Sequence, residues 1–441
     1  MAPGTGVVVQ DDFTPRALSQ PGSYDRRRTE VFLLTFVGYV ACYLVRNNTA
    51  VASGLLVTEE GWTPLDVGLV LTGFTVTYGL AKLVMGVVVD RSSLRVGYGA
   101  ALIVSALVCA AMGFVPHVVA MTAAMAVIGL AQGVCAPASL ATLGAWYPPW
   151  QRASRVAVWN TSQNVGAALL PLLVMGAMLA LGVHHWSLAY WVPGALALGA
   201  GVWVLLRGGD RPWREGYPTL PERYGPDALP EVRGSTEASY WRLVRIHVVG
   251  NRLLLALAVL NALLYLLRFG VLNWIPLYTM TEVGLSVPEA GLVMAVYEWA
   301  AVPGALLFAL VAHRWPNRMA MAGAAGLVVL AFGLLGYSVA DNRVEVFVMA
   351  GLLGALTYGP QVVINILTLN FVSPRAMGVA VGFVGLGGYL VGEVVANLGM
   401  PTLAEQLGWG RAFVALAAIS AVAALIYWEL RRAERRTVPS R

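Results

Sequence analysis

Residues 39–46 read YVACYLVR and residues 261–268 read NALLYLLR, so an arginine ends each of two apolar stretches 222 positions apart. Each stretch belongs to an apolar run of about 20 residues, the length that crosses the hydrocarbon core of a bilayer. A charge at mid-bilayer costs at least ~2.5–3.5 kcal/mol, so Arg46 and Arg268 should face a cavity or a partner. The repeated pattern predicts two related membrane helices that carry functional charges.

The composition of the whole chain excludes a protein that is water-soluble throughout. Of the 441 residues, 58% are apolar and 12% are charged, whereas an average soluble domain is about 25% charged. Windowed hydropathy predicts twelve membrane spans. They are residues 30–51, 66–89, 96–115, 118–143, 154–180, 186–206, 252–277, 288–312, 319–339, 345–369, 376–400 and 410–430.

The basic residues determine the predicted orientation. An even number of spans places both termini on one side, and 24 of the 29 basic residues lie in the tails and loops of that side. Only Arg343 and Arg411 lie in the opposite loops. Because cytoplasmic loops carry the excess of arginine and lysine, we expect both termini in the cytoplasm. The net positive charge then reflects membrane topology rather than nucleic-acid binding.

One long polar stretch, rich in proline, glycine and charge, separates two runs of six spans that look like parallel repeats. The predicted units are a cytoplasmic tail (1–29), a six-helix bundle (30–206), a cytoplasmic linker (207–251), a second six-helix bundle (252–430) and a cytoplasmic tail (431–441). This organisation predicts an all-α membrane protein of twelve transmembrane helices in two pseudo-symmetric bundles, the major facilitator fold.

The loop between spans two and three supports that fold. Residues 86–95 (GVVVDRSSLR) resemble the G-x-x-x-D-R-x-x-R/K motif of the superfamily, whose carboxylate and arginines latch helix ends together in one conformation. The resemblance gives Asp90, Arg91 and Arg95 a role in gating. The equivalent loop of the second half, residues 313–318 (HRWPNR), lacks the acid.

Five ionisable side chains fall well inside spans: Arg46, Lys82, Arg268, Glu298 and Glu393. Tyrosines and amides share helix faces with these charges, at spacings of three, four or seven residues. We expect one central, net-positive cavity lined by Tyr39, Tyr43, Arg46, Lys82, Gln163, Tyr265, Arg268, Tyr358 and Tyr389. A guanidinium binds oxyanions bidentately, and a tetrahedral phosphate has enough oxygens for two arginines. The pattern therefore favours a phosphate-binding site, with Glu298 and Glu393 in charge balance or gating.

Other interpretations of these residues stay open. Arg46 and Arg268 could be neutralised by Glu298 and Glu393 as structural ion pairs, although three positive charges against two negative ones leave one unmatched. Lys82 could serve only to pair with a carboxylate, and each tyrosine could be a packing residue. The sequence contains no P-loop, nucleophile elbow or metal-spaced cluster of histidine or cysteine, so we expect no cofactor, no metal and no enzyme activity.

Three segments carry a family resemblance: residues 38–47 (GYVACYLVRN), 78–95 (YGLAKLVMGVVVDRSSLR) and 265–274 (YLLRFGVLNW). They look like the organophosphate:phosphate antiporter family, which includes the bacterial glycerol-3-phosphate and hexose-phosphate transporters. That family exchanges cytoplasmic inorganic phosphate for external phosphate esters. The resemblance assigns the grip on the phosphoryl group to Arg46 and Arg268. Tyr39, Tyr43, Lys82, Tyr358 and Tyr389 would be supporting contacts.

The chain departs from the family pattern at two positions. Gln163 stands where the family has a histidine, so a histidine-linked pH dependence should be absent. Asn273 stands where an acid commonly follows the span-seven arginine. Glu393 and residues 359–361 (GPQ) lean toward the hexose-phosphate branch.

The sequence thus predicts a secondary transporter that exchanges a small organic phosphate ester for inorganic phosphate by alternating access. Its expected partners are those two anions and membrane lipid, with no nucleic acid, and we expect a monomer in the cell (inner) membrane. One alternative is a proton-coupled symporter of another organic anion, with Glu298 or Glu393 carrying the proton. Another is a transporter-like sensor of sugar phosphates.

Overall fold

The computed structural model describes residues 21–182, 185–225, 228, 250–315, 317–372 and 377–437. Within these ranges the chain is helical and has no strand, and twelve of its helical segments are long and apolar enough to cross a membrane. The predicted all-α, twelve-span fold is therefore confirmed. The boundaries of the two predicted six-helix units stay a prediction, and below, "first half" and "second half" denote the first six and the last six spans.

Within the described residues, the first six spans are formed by eight helices. They are α1 (Pro21–Leu44), α2 (Asn48–Glu59), α3 (Pro64–Arg91), α4 (Leu94–Met112), α5 (Val118–Gln132), α6 (Cys135–Trp146), α7 (Pro149–Leu181) and α8 (Leu188–Arg207). A short helix, α9 (Leu220–Tyr224), follows in the segment after α8. The first span consists of α1 and α2, and the fourth consists of α5 and α6.

The second half repeats this arrangement. Its helices are α10 (Arg252–Leu272), α11 (Ile275–Thr281), α12 (Val287–Arg314), α13 (Met319–Ser338), α14 (Arg343–Asn370), α15 (Met377–Gly387), α16 (Val394–Leu407) and α17 (Trp409–Thr437). A π-helical segment, Gly388–Glu393, joins α15 to α16 within the eleventh span. We call the face that carries the start of α1 and the end of α17 the tail side, and the opposite face the loop side.

Local sequence explains where the spans begin. Thr63 and Asp66 form a reciprocal capping box at the start of α3, and Pro64 occupies the first helical position. Ser286 and Glu289 form the same box at the start of α12, 223 residues later. Each box satisfies backbone N–H groups that the first turn of a helix leaves without partners. The repeat seen in the sequence thus extends to the helix caps.

The two halves approach each other closely on the loop side, where glycines allow backbone contact. A Cβ atom built on Gly68 of α3 would lie 2.0 Å from the carbonyl oxygen of Asn397 in α16. A Cβ atom on Gly54 of α2 would lie 2.1 Å from the sulfur of Met280 in α11. Both distances are far below contact. The crossing at Gly68 needs glycine because its neighbour is backbone, whereas the Met280 side chain at Gly54 is flexible.

Candidate functional site

A cavity of about 40 Å³ lies between the two halves, near the middle of the spans. Its walls combine charged, aromatic and amide side chains from both halves. They are Tyr43, Arg46, Asn47, Gln163, Ala167, Tyr265, Arg268, Phe269, Glu298, Tyr389 and Glu393. The cavity therefore brings charged groups from both halves to one place.

Arg46 lies in the break between α1 and α2 and is 8% exposed. Its guanidinium carbon is 4.4 Å from the ring centres of Tyr43 and Tyr78 and 4.7 Å from that of Phe74. One terminal nitrogen donates to Oε1 of Gln132 at 3.3 Å. Aromatic faces attract a cation without cancelling its charge. The rings thus hold Arg46 in place while its charge stays available to an anion.

Arg268 reaches the cavity from α10 in the second half. Its guanidinium carbon lies 4.1 Å from the ring centre of Tyr358 and 4.9 Å from that of Phe269. One terminal nitrogen donates to the hydroxyl of Tyr358, which donates in turn to Oε2 of Glu298 at 2.8 Å. Arg268 and Glu298 are therefore joined through a tyrosine hydroxyl. The Nε atoms of both cavity arginines are buried and have no hydrogen-bond partner in the described structure.

Two buried carboxylates face the same space. Glu298 of α12 is 0% exposed, and Glu393 at the end of the π-helical segment is 6% exposed. Oε1 of Glu393 accepts a hydrogen bond from Thr75, whereas Oε2 of Glu393 and Oε1 of Glu298 are buried and unpartnered in the described structure. Among the ion pairs within 4.0 Å that the described residues form, none joins these carboxylates to Arg46 or Arg268. Buried polar atoms in native proteins normally have hydrogen-bond partners. These two oxygens therefore favour a ligand that donates hydrogen bonds to them.

Other predicted site residues lie at the cavity or one layer behind it. Tyr43, Tyr265 and Tyr389 are in its wall, and so is Gln163, whose Oε1 accepts from the Tyr43 hydroxyl at 3.2 Å. Tyr358 lies behind Arg268 and orients it, as described above.

Lys82 and Tyr39 lie away from the cavity wall. Lys82 is exposed on α3, and its Nζ atom is 5.4 Å from the ring centre of Tyr389 and 5.8 Å from that of Tyr78. Tyr39 is buried, with its ring centre 4.5 Å from that of Trp159. The wall itself therefore holds two arginines and two glutamates, a formal balance, instead of the net positive charge that we expected with Lys82 included.

The predicted gating residues of the loop between spans two and three are at the tail side. The side chains of Asp90 and Arg91 lie outside the described part of the structure. Arg95 is partly buried in the first turn of α4. The gating role of these three residues stays a prediction.

Several cavity neighbours were missed in the sequence. Asn47, Ala167 and Phe269 are in the wall, and Thr75 and Asn397 lie behind Glu393. A signal for two of them exists. Thr75 shares a helix face with Tyr78 at a spacing of three, and Asn397 follows Glu393 at a spacing of four.

Comparison with known proteins adds three findings. The model of the Major Facilitator Superfamily matches residues 35–396 and 257–441. A phosphoglycerate transporter protein of Salmonella typhimurium is 29% identical over 402 residues, which cover 89% of this chain and 87% of the relative. The hexose-6-phosphate:phosphate antiporter of Escherichia coli is 28% identical over 399 residues, covering 87% and 86%. The resemblance stated from the sequence is therefore confirmed.

A solved structure shows the same fold. It is a bacterial homolog of the human lysosomal transporter Spinster in an inward-facing, unoccupied conformation. The TM-score is 0.75 at 16% identity, and the match covers 96% of this chain and 99% of the other.

Proposed function

Because the chain belongs to the major facilitator superfamily, a family of transporters, we propose that it exchanges a small organic phosphate ester for inorganic phosphate by alternating access. One observation carries the proposal. Arg46 and Arg268 come from different halves to one buried cavity, and the Nε atom of each has no hydrogen-bond partner in the part of the chain that the structure describes. The proposed function is that of a transporter rather than an enzyme. Its proposed substrate class comprises sugar phosphates and glycerol phosphate.

The chemistry of the cavity suits a phosphoryl group. A guanidinium presents a planar fork of donors that matches two phosphate oxygens, and a tetrahedral phosphate has oxygens for a fork on each side. Bound phosphate would bridge the two halves. Without it, Arg46 and Arg268 would lack the shared partner that joins the halves. Ligand binding would therefore favour a state in which the halves close around the cavity, as exchange requires.

The structure represents one of the two states that alternating access needs. The halves touch on the loop side through Gly68 and Gly54, while Lys82, on the tail side of the cavity, is exposed. The excess of arginine on the tail side supports a cytoplasmic location for both termini. This state is then inward-facing in a multi-pass protein of the inner membrane, which we propose to act as a monomer.

Exchange in proteoliposomes tests the function. Vesicles that contain the purified protein and labelled phosphate are challenged outside with phosphate, with a panel of phosphate esters, or with organic acids that lack phosphorus. We expect label to leave when phosphate or one of the esters is added, and to stay when the other acids are added. No release by any phosphorus compound would contradict the proposal.

The same vesicles separate the alternatives. A proton-coupled symporter would take up its substrate without internal phosphate and would stop when an ionophore collapses the proton gradient. A sensor would bind a phosphate ester without releasing any label. We expect exchange to continue in the presence of the ionophore.

A further inference from the structure

A chain of buried hydrogen bonds crosses from one half to the other beside the cavity. Nδ2 of Asn273 donates to Oδ1 of Asn397 at 2.8 Å, and Nδ2 of Asn397 donates to Oγ1 of Thr75 at 3.3 Å. The Thr75 hydroxyl then donates to Oε1 of Glu393 at 2.9 Å. Thr75 belongs to α3 in the first half, and the other three residues belong to the second half.

This chain lies between the cavity and the close contact on the loop side. Glu393 is part of the cavity wall, with Oε2 unpartnered in the described structure. Asn397 follows one helical turn later, and its carbonyl oxygen meets α3 at Gly68. Separation of the halves on the loop side moves α3 away from α16. Both hydrogen bonds made by Thr75 across the interface must then break.

We propose that Thr75, Asn397 and Glu393 form a clamp that holds the loop side closed. The inference rests on the proposed transport cycle and adds to it the residues that set the balance between its two states. Glu393 belongs to both the clamp and the cavity wall. A ligand that donates a hydrogen bond to its free oxygen therefore acts on the residue that joins the halves.

The environment sets the size of the expected effect. All members of the chain are buried, where a hydrogen bond to a carboxylate is stronger than in water. Oγ1 of Thr75 also lies 3.1 Å from the carbonyl oxygen of Leu71 in its own helix. When the halves separate, the hydroxyl retains that partner, so part of the lost interaction is recovered. We expect loss of the hydroxyl to shift the equilibrium between the states about tenfold.

The test measures loop-side opening directly, without substrate. A cysteine replaces Met280, which contacts Gly54 across the interface, in a chain whose three native cysteines are changed to serine. The purified protein in lipid nanodiscs reacts with a water-soluble maleimide, and the labelling rate reports the open population. Thr75→Val removes the hydroxyl and keeps the shape. We expect it to raise the labelling rate about tenfold.

Two variants serve as controls for the loss of the hydroxyl. Thr75→Ser keeps the hydroxyl and should label like the parent. Thr72→Val, one turn away, removes a hydroxyl that donates within its own helix to Gly68, and it should also label like the parent. Equal labelling of Thr75→Val and the parent would overturn the proposal. So would fast labelling of Thr75→Ser.

A double variant tests the connection to Glu393. If Thr75 acts through this carboxylate, then adding Glu393→Gln to Thr75→Val should raise the rate by less than Glu393→Gln does alone. If the two substitutions instead multiply each other's effect on the labelling rate, the connection between Thr75 and Glu393 is overturned. Labelling needs no substrate, so its result does not depend on phosphate exchange. The labelling results can refute the clamp while exchange is observed, and exchange can be absent while the labelling results support the clamp.

Discussion

Replacement of Gly68 by alanine should push the two halves apart on the loop side. The added Cβ atom would lie 2.0 Å from the carbonyl oxygen of Asn397 and 3.5 Å from Cγ of Pro401. A carbon and a carbonyl oxygen are in contact at about 3.3 Å. The first obstacle is backbone rather than the end of a flexible side chain. Relief of the overlap therefore needs α3 and α16 to separate by about 1.3 Å.

That displacement raises the free energy of the state that is closed on the loop side. Overpacking a well-packed contact costs about 1–3 kcal/mol, which corresponds to a shift of about 5–150-fold between two states. In the state that opens on the loop side the two helices are apart, so the methyl group is harmless there. We expect Gly68→Ala to favour this open state and to slow exchange, because the cycle must pass through the closed state.

Labelling of the Met280→Cys reporter with a water-soluble maleimide measures the shift. Gly176 of α7 provides the matched control, since a Cβ atom there has nothing within 4 Å. A second control is Gly73→Ala, whose Cβ atom would lie 2.6 Å from the carbonyl oxygen of Thr122, within the first half. Gly73→Ala should lower thermal stability and leave the labelling rate unchanged. Labelling of Gly68→Ala that is no faster than labelling of Gly176→Ala would refute this prediction.

Three further predictions concern the binding site and the packing of the second half. Arg46→Lys and Arg268→Lys should each slow phosphate exchange about 10–150-fold, because a point charge cannot replace the fork, while the thermal unfolding midpoint is kept; near-normal exchange by either variant would contradict the two-arginine site. Gln163→His should keep exchange and add a pH dependence between pH 5 and 8, and an unchanged profile would place position 163 out of reach of the substrate. Glu434→Ala should destabilise the protein by about 1 kcal/mol in thermal unfolding, since this carboxylate accepts from the backbone N–H groups of Met319 and Ala320, at 2.8 and 3.1 Å. Glu429→Ala, at an exposed position of the same helix, should have little effect, and an equal loss would refute the capping role.

The twelve spans could be predicted because membrane insertion imposes a length and an apolar composition on each helix. The breaks within spans were harder to find. Residues 45–47 (VRN) interrupt the first span although no proline lies there, and an arginine followed by an asparagine does not by itself predict a break. The break depends on contacts such as the rings around Arg46, which belong to other parts of the fold. The break places Arg46 in the cavity wall.

The site could be predicted in part, because charges inside a span must find polar surroundings. Arg46, Arg268, Glu298 and Glu393 are in one cavity wall, as their positions suggested. Helical spacing assigns a face but does not assign a depth. Lys82 shares a face with Tyr78, yet four residues advance a helix by about 6 Å, which moves the amine beyond the wall toward the tail side.

The second half keeps a carboxylate at the start of α13 although its loop lacks the acid of the motif. Residues 313–318 lack the acid of the first loop, but the N-terminal turn of α13 still has orphan N–H groups that favour an anion. Glu434 supplies it. In the first half, Asp210 accepts from the N–H group of Leu94 at the start of α4 and from the hydroxyl of Ser93. The two carboxylates are 224 residues apart, which matches the repeat, so the caps are related even though one lies after α8 and the other within α17.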